Sequence, residues 1–213
     1  MTVNDVAFAG AVIVSVFALV DPIGTLPFYA ALTGGYSDED RGFVRDRAVL
    51  VAATILTVFA IAGRFLFAAF GFTLAAFQIA GGLLVFLVGY EMLQGKVGTT
   101  RLSEEDRVDA LARREEISVV PLGIPLLAGP GAISTVMIYE GSAGTDPWAI
   151  LATFLAIGIA AAATWLILRY GERILRRMGR VGLMAIARVM GLLLAAVGVQ
   201  FVLNGLHAFA PAL

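Results

Sequence analysis

Long apolar runs separated by short charged clusters set the pattern of this chain. Six runs stand out, at about Ala7–Leu32, Ala48–Phe70, Leu74–Leu93, Ile117–Tyr139, Trp148–Leu168 and Leu183–Phe209. At ~1.5 Å of helix per residue, each reaches across a hydrocarbon core of ~30 Å. The pattern predicts an all-α membrane protein with six transmembrane helices. Two runs are interrupted. The first contains "LVDPIGTLPFYAALT" (Leu19–Thr33), with a carboxylate, two prolines and a glycine. The fourth contains "PLLAGPGAIST" (Pro125–Thr135). In lipid, backbone groups must find partners within the protein. A proline removes one donor and disfavours helix at the residue before it. Asp21-Pro22 and Gly129-Pro130 therefore read as restarts, with Asp21 or Gly129 as N-cap and proline at the first helical position. Asp21 is placed to accept from the N–H of Ile23 or Gly24. Pro27 leaves open a later restart, capped by Thr25 or Leu26.

Composition agrees with the pattern. The chain has 213 residues, 60% of them hydrophobic and 15% charged, and a mean hydropathy of +0.91. Arg41, Arg45 and Arg47 follow the first run, Lys96, Arg101, Arg107, Arg113 and Arg114 the third, and Arg169, Arg173, Arg176, Arg177 and Arg180 the fifth. Only Arg64 lies on the other side, and Arg188 lies within the sixth run. This asymmetry predicts a bacterial inner-membrane protein with both termini outside and the basic loops in the cytoplasm. The N-terminus lacks a basic stretch and a cleavage site, so it reads as retained first-helix sequence. The near-neutral charge gives no reason to expect a nucleic-acid partner; the lipid bilayer is the expected surrounding. There is no cysteine, and the single His207 lies near the outer end of the last span. No cofactor, metal site or paired catalytic carboxylates are expected, nor is there a G-x-x-x-x-G-K-[ST] phosphate loop. The chain reads as a non-enzyme.

The interruptions recur at a fixed spacing. Pro22 and Pro130 are 108 residues apart. "GGLLVFLVGYEMLQG" from Gly81 matches "MGLLLAAVGVQFVLNG" from Met190, with Gly82 on Gly191 and Gly89 on Gly198, 109 apart. This predicts two three-helix repeats, residues 1–93 and 117–213, joined by a linker at 94–116. With an odd number of spans, the halves insert in opposite orientation. The linker reads as a solvated segment with a short helix.

Both breaks then fall near the midplane. Asp21 lies about 21 Å of helix from the outer end of its span and Gly129 about 18 Å from the inner end of its own. Two half-helix N-termini facing one cavity suit an anionic group such as a carboxylate. The candidate substrate-binding residues are Asp21, Pro22, Gly24, Thr25, Gly129, Pro130, Gly131, Ser134 and Thr135, with Gln78 and Arg188 added from the third and sixth spans. Asp21 is also the candidate for proton coupling, and unwound carbonyls offer a site for Na+. Arg188 has three readings: pairing with Asp21, attracting a carboxylate, or snorkelling to headgroups. Gln200 and Asn204 are further polar groups on the sixth span. Ala152, Ala156 and Ala160 form a small-residue face for packing or for a homo-oligomer.

The motifs "DPIGTLPFY" at Asp21–Tyr29, "IAGGLLVFLVGYEML" at Ile79–Leu93, "PLLAGPGAIST" at Pro125–Thr135 and "ARVMGLLLAAVGVQFVLNG" at Ala187–Gly205 resemble those of the MarC family, also called UPF0056 or NAAT. The resemblance implies a six-span exporter-like protein handling small neutral amino acids such as alanine or glycine. Two positions depart from the family pattern: Thr25 stands where Asn is common, and Gln78 where a basic residue is frequent. The leading expectation is secondary transport of a small zwitterionic solute. The rival is a membrane scaffold or sensor acting through the 94–116 loop.

Overall fold

A computed structural model describes the backbone of residues 3–34, 36–94, 114–176 and 179–209. Among the described residues the chain is helical, with no strand. The segments are α1 (Val3–Val20), α2 (Pro22–Leu32), α3 (Asp38–Phe70), α4 (Leu74–Leu93), α5 (Ser118–Leu127), α6 (Pro130–Ala143), α7 (Pro147–Arg176) and α8 (Gly179–Phe209). Five stretches are long and apolar enough to cross a bilayer: Val6–Leu32, α3, α4, Pro147–Gly171 and Arg188–Ala208. Arg114–Leu127 with Pro130–Ala143, bent by 59°, brings the number to as many as six. Large apolar side chains point outward, Phe65 and Phe70 each being 73% exposed. So large an apolar exterior suits lipid tails and is atypical of a soluble monomer.

Local chemistry fixes the helix ends. Ser37 caps α3 by accepting from the Asp40 N–H at 3.1 Å, with Asp38, Glu39 and Asp40 in the first turn, where negative charge meets the helix dipole. Gly71 ends the same helix at φ 67°, a left-handed position that suits glycine. Thr73 caps α4 through the Ala76 N–H. The turn between α2 and α3 is tied twice. The Tyr29 hydroxyl donates to the Arg41 carbonyl at 2.7 Å, and Arg41 Nε donates to the Thr33 carbonyl at 3.0 Å.

The fourth span departs from expectation. The sequence predicts one break in this span, at Gly129-Pro130, but Val120 (φ −128°, ψ 121°) and Ile124 (φ −136°, ψ 127°) are extended as well. Each precedes a proline, Pro121 and Pro125, through a cis peptide bond. The ring of a proline crowds the preceding residue out of the helical region, and here it does so twice. The break at Gly129 is thus the last of three irregularities.

The main core joins both parts of the chain. Val12, Val16 and Val20 of α1 belong to one buried cluster with Leu56 of α3, Leu122 and Leu127 of α5, and Ala156 and Ala160 of α7. Ala152, Ala156 and Ala160 are buried inside the chain, so this small-residue face serves internal packing and is closed to a second copy. α4 and α8 pack most extensively, through glycines. A Cβ added to Gly82 would lie 2.6 Å from the Gly198 carbonyl oxygen, and one on Gly89 2.6 Å from that of Gly191. Backbone contact this close needs the missing side chains.

The side that carries the basic loops is cross-tied. Asp40 pairs with Arg114, whose guanidinium also lies 4.3 Å from the Phe43 ring centroid. Trp165 Nε1 donates to Asp46 at 2.7 Å, and the guanidinium carbons of Arg45 and Arg169 each lie 4.8 Å from the Trp165 ring centroid. These contacts join α3 to α7 and to the helical turn preceding α5. The linker reading for 94–116 falls mostly on residues outside those described.

Candidate functional site

The first break is a single residue wide. Asp21 takes φ 44°, ψ 65°, the left-handed region that costs most residues about 1 kcal/mol and that Asp tolerates better than most. Its N–H still reaches the Phe17 carbonyl at 3.1 Å, and its carbonyl accepts from Thr25 at 3.0 Å. Asp21 Oδ1 accepts from the Gly24 N–H at 2.9 Å, which caps α2. A Cβ on Gly24 would lie 2.1 Å from Asp21 Oδ2, so the carboxylate occupies space that only glycine leaves free. Pro22 is buried at the first helical position, and Pro27 lies inside α2; the helix restarts at Pro22.

The second break has a different chemistry. Gly129 (φ −76°, ψ 168°) is the N-cap of α6 and has no side chain to cap with. Pro130 follows at the first position, buried against α4, where a Cβ on Gly81 would fall 2.2 Å from Pro130 Cγ. The Ser134 hydroxyl donates to the Pro130 carbonyl at 2.5 Å, so it is used within α6.

Both breaks border one cavity of about 560 Å³. Its walls come from Leu19 and Asp21, Gly24, Thr25 and Phe28 on one side, Pro125, Leu126 and Gly129 on a second, Val85 of α4, and a face of α8 from Met190 to Phe201. α2 and α5 both run between the breaks and the basic loops, so most of the cavity lies in that half of the molecule. Among the described residues its polar side chains are Asp21, Thr25 and Gln200. Leu19 and Phe201 converge at Gly131, where an added Cβ would lie 3.4 Å from Leu19 Cδ2 and 3.5 Å from the Phe201 ring. Those are ordinary contacts. Gly131→Ala is therefore expected to keep function and stability near wild type, and Gly131→Leu to force the two side chains apart and abolish solute binding. Binding measurements on the two purified variants check this.

Of the residues singled out by sequence, Asp21, Gly24, Thr25 and Gly129 line the cavity. Pro22, Pro130 and Gly131 form the breaks beside it. Ser134, Thr135, Gln78 and Arg188 are not among its lining residues. Arg188 is exposed and makes no ion pair with Asp21. Gln200 was visible in the sequence only as a polar group on an apolar span. A signal that could identify it is its spacing of four from Asn204, to which its Nε2 donates at 2.7 Å.

Comparison with known proteins identifies the family. Residues 6–210 match the description "MarC family integral membrane protein". A UPF0056 membrane protein of Pyrococcus horikoshii is 40% identical over 190 residues, 89% of this chain and 90% of that protein. The UPF0056 membrane protein YhcE of Escherichia coli is 34% identical over 200 residues, 94% of this chain and 92% of its own length. YvbG of Bacillus subtilis is also 34% identical, over 95% of both chains. No solved structure matches. The match along nearly the whole chain, to proteins of nearly the same length, makes this protein a member of the MarC family of integral membrane proteins.

Proposed function

We propose that the protein is a secondary transporter, an exporter or exchanger, of small neutral amino acids such as alanine and glycine, built as two inverted three-helix repeats. The pairing of helices supports the repeat: α1 packs on α7 as α5 packs on α3, and α2 packs on α8 as α6 packs on α4. So do the glycines. Sequence offset relates Gly82 to Gly191 and Gly89 to Gly198, yet across the α4–α8 contact Gly82 meets Gly198 and Gly89 meets Gly191. A two-fold axis exchanges partners in this way.

The observation that carries the substrate class is the pairing of unlike groups at the two breaks that border one cavity. At the first break the carboxylate of Asp21 occupies the helix start itself. At the second, the start of α6 has no side-chain cap. An ammonium suits the former and a carboxylate the latter, where free N–H groups and the helix dipole favour negative charge. A zwitterion with its two charges one carbon apart satisfies both, and a cavity of about 560 Å³ suits a small ligand. Rocking of one repeat against the other would expose the site to each side in turn. Coupling would run through a proton on Asp21 or through Na+ at the carbonyls of the breaks. The basic loops would face the cytoplasm, with both termini across a bacterial inner membrane.

Uptake and exchange of labelled alanine, glycine and serine in proteoliposomes test this reading, with and without proton and sodium gradients. Saturable flux with counter-transport is expected, and it should survive shortening of the 94–116 loop. No saturable flux of any amino acid would overturn the reading; flux lost with the loop and untouched by changes at Asp21 would favour the scaffold.

A further inference from the structure

We propose that Gln200 is a solute-selecting residue on the α8 wall of the cavity that Asp21 also lines, and that Asn204 is the positioning residue that orients it. The inference rests on the transport reading above and names a third group of the same site. Among the described α8 residues that line the cavity, Gln200 alone is polar. The surface of α8 around it is otherwise greasy: Leu193, Val197 and Leu203 are about half exposed. An amide set among apolar side chains is costly when its hydrogen bonds go unmade. Two amides one helical turn apart partly satisfy each other, since Gln200 Nε2 donates to Asn204 Oδ1 at 2.7 Å.

That bond leaves Gln200 with one N–H and its carbonyl oxygen unspent. Because Asn204 accepts one hydrogen of the amide, it fixes which way the amide lies and polarises the remaining N–H. The height of the group is also set. Its neighbour Phe201 has its ring edge 3.5 Å from where a Cβ on Gly131 would be, and Gly131 is the second residue of α6. Gln200 therefore stands level with the start of α6, where the solute's carboxylate is placed. Its free N–H becomes a side-chain donor to that carboxylate, and discrimination between an amino acid and its carboxylate-free analogue follows from it.

The test compares alanine with alaninamide, which keeps the ammonium and lacks the carboxylate, as competitors of labelled-alanine flux in proteoliposomes. For Gln200→Leu, the KM for alanine is expected to rise at least tenfold, while the inhibition constant of alaninamide stays within twofold of wild type. Gln200→Glu, which sets an anion against the carboxylate, should raise the alanine KM further. Asn204→Leu should raise it several-fold, and Asn204→Asp, which keeps the acceptor, should restore most of the loss. Melting of each variant in detergent should match wild type, because both side chains are exposed. Wild-type flux with an unchanged alanine KM in Gln200→Leu and Gln200→Glu overturns this inference and leaves the transport reading standing. So does an equal loss for alanine and alaninamide. No saturable flux in the wild type overturns both.

Discussion

Asp21→Asn is expected to leave the protein folded and to raise the KM for alanine by about 30-fold, the equivalent of ~2 kcal/mol for a hydrogen bond that involves a charged group. The substitution separates the cap that the carboxylate forms from the ammonium contact proposed for it. Asparagine keeps an oxygen that can accept from Gly24 N–H, so the cap at 2.9 Å survives. It also tolerates the left-handed backbone that position 21 requires. What it removes is the negative charge to which the ammonium contact is assigned in the proposed reading. Asp21→Ala removes both and should in addition lose ~1 kcal/mol of stability, the usual contribution of an N-cap. Transport kinetics and detergent melting measured on both variants distinguish the roles. Wild-type flux in Asp21→Asn with reduced stability in Asp21→Ala would reduce the residue to a cap.

The largest structural effect is expected at the α4–α8 contact. A Cβ on Gly198 would lie 2.5 Å from the Phe86 nitrogen and 2.6 Å from the Gly82 carbonyl oxygen. Both are backbone atoms, and no side-chain rotation relieves them. Gly198→Ala should therefore push the helices apart and destabilise the protein by about 1–3 kcal/mol, with Gly198→Val worse. Gly158→Ala is the control. Its added Cβ meets nothing within 4 Å, in the middle of α7. There the gain in helix propensity should leave stability unchanged or up to ~1 kcal/mol higher. Thermal melts of the variants in one detergent measure the contrast; equal melting of Gly198→Ala and wild type would mean that the two helices do not touch as described.

The spans were readable because a bilayer demands length and hydropathy, which sequence displays directly. α4 runs from Leu74 to Leu93, the limits its apolar run gives. The break at Asp21 was readable because a proline and a capping carboxylate act locally. The kinks at Pro121 and Pro125 are hidden in the sequence because their neighbours are mostly apolar and do not shorten the run. The cavity was harder still. α8 is apolar on every side, so periodicity does not say which face looks inward. Gln200 lies on that face, and Arg188, twelve residues earlier on the same helix, does not line the cavity. Only packing against α4, set by glycines at 191 and 198, decides between them.

One mismatch between the halves reaches beyond architecture. Gly81 lets Pro130 close onto α4, while the residue that corresponds to it by sequence offset is Met190, whose side chain borders the cavity. The two sides of the molecule are therefore not energetically equivalent. In the alternating-access cycle proposed above, such an inequality would set the resting populations of the two states and thus which reorientation is slow. It would have no say in the direction of net flow, which gradients alone determine. A flexible thioether in place of a glycine would then be a kinetic setting, and trimming it would change how fast the proposed cycle turns without changing which way.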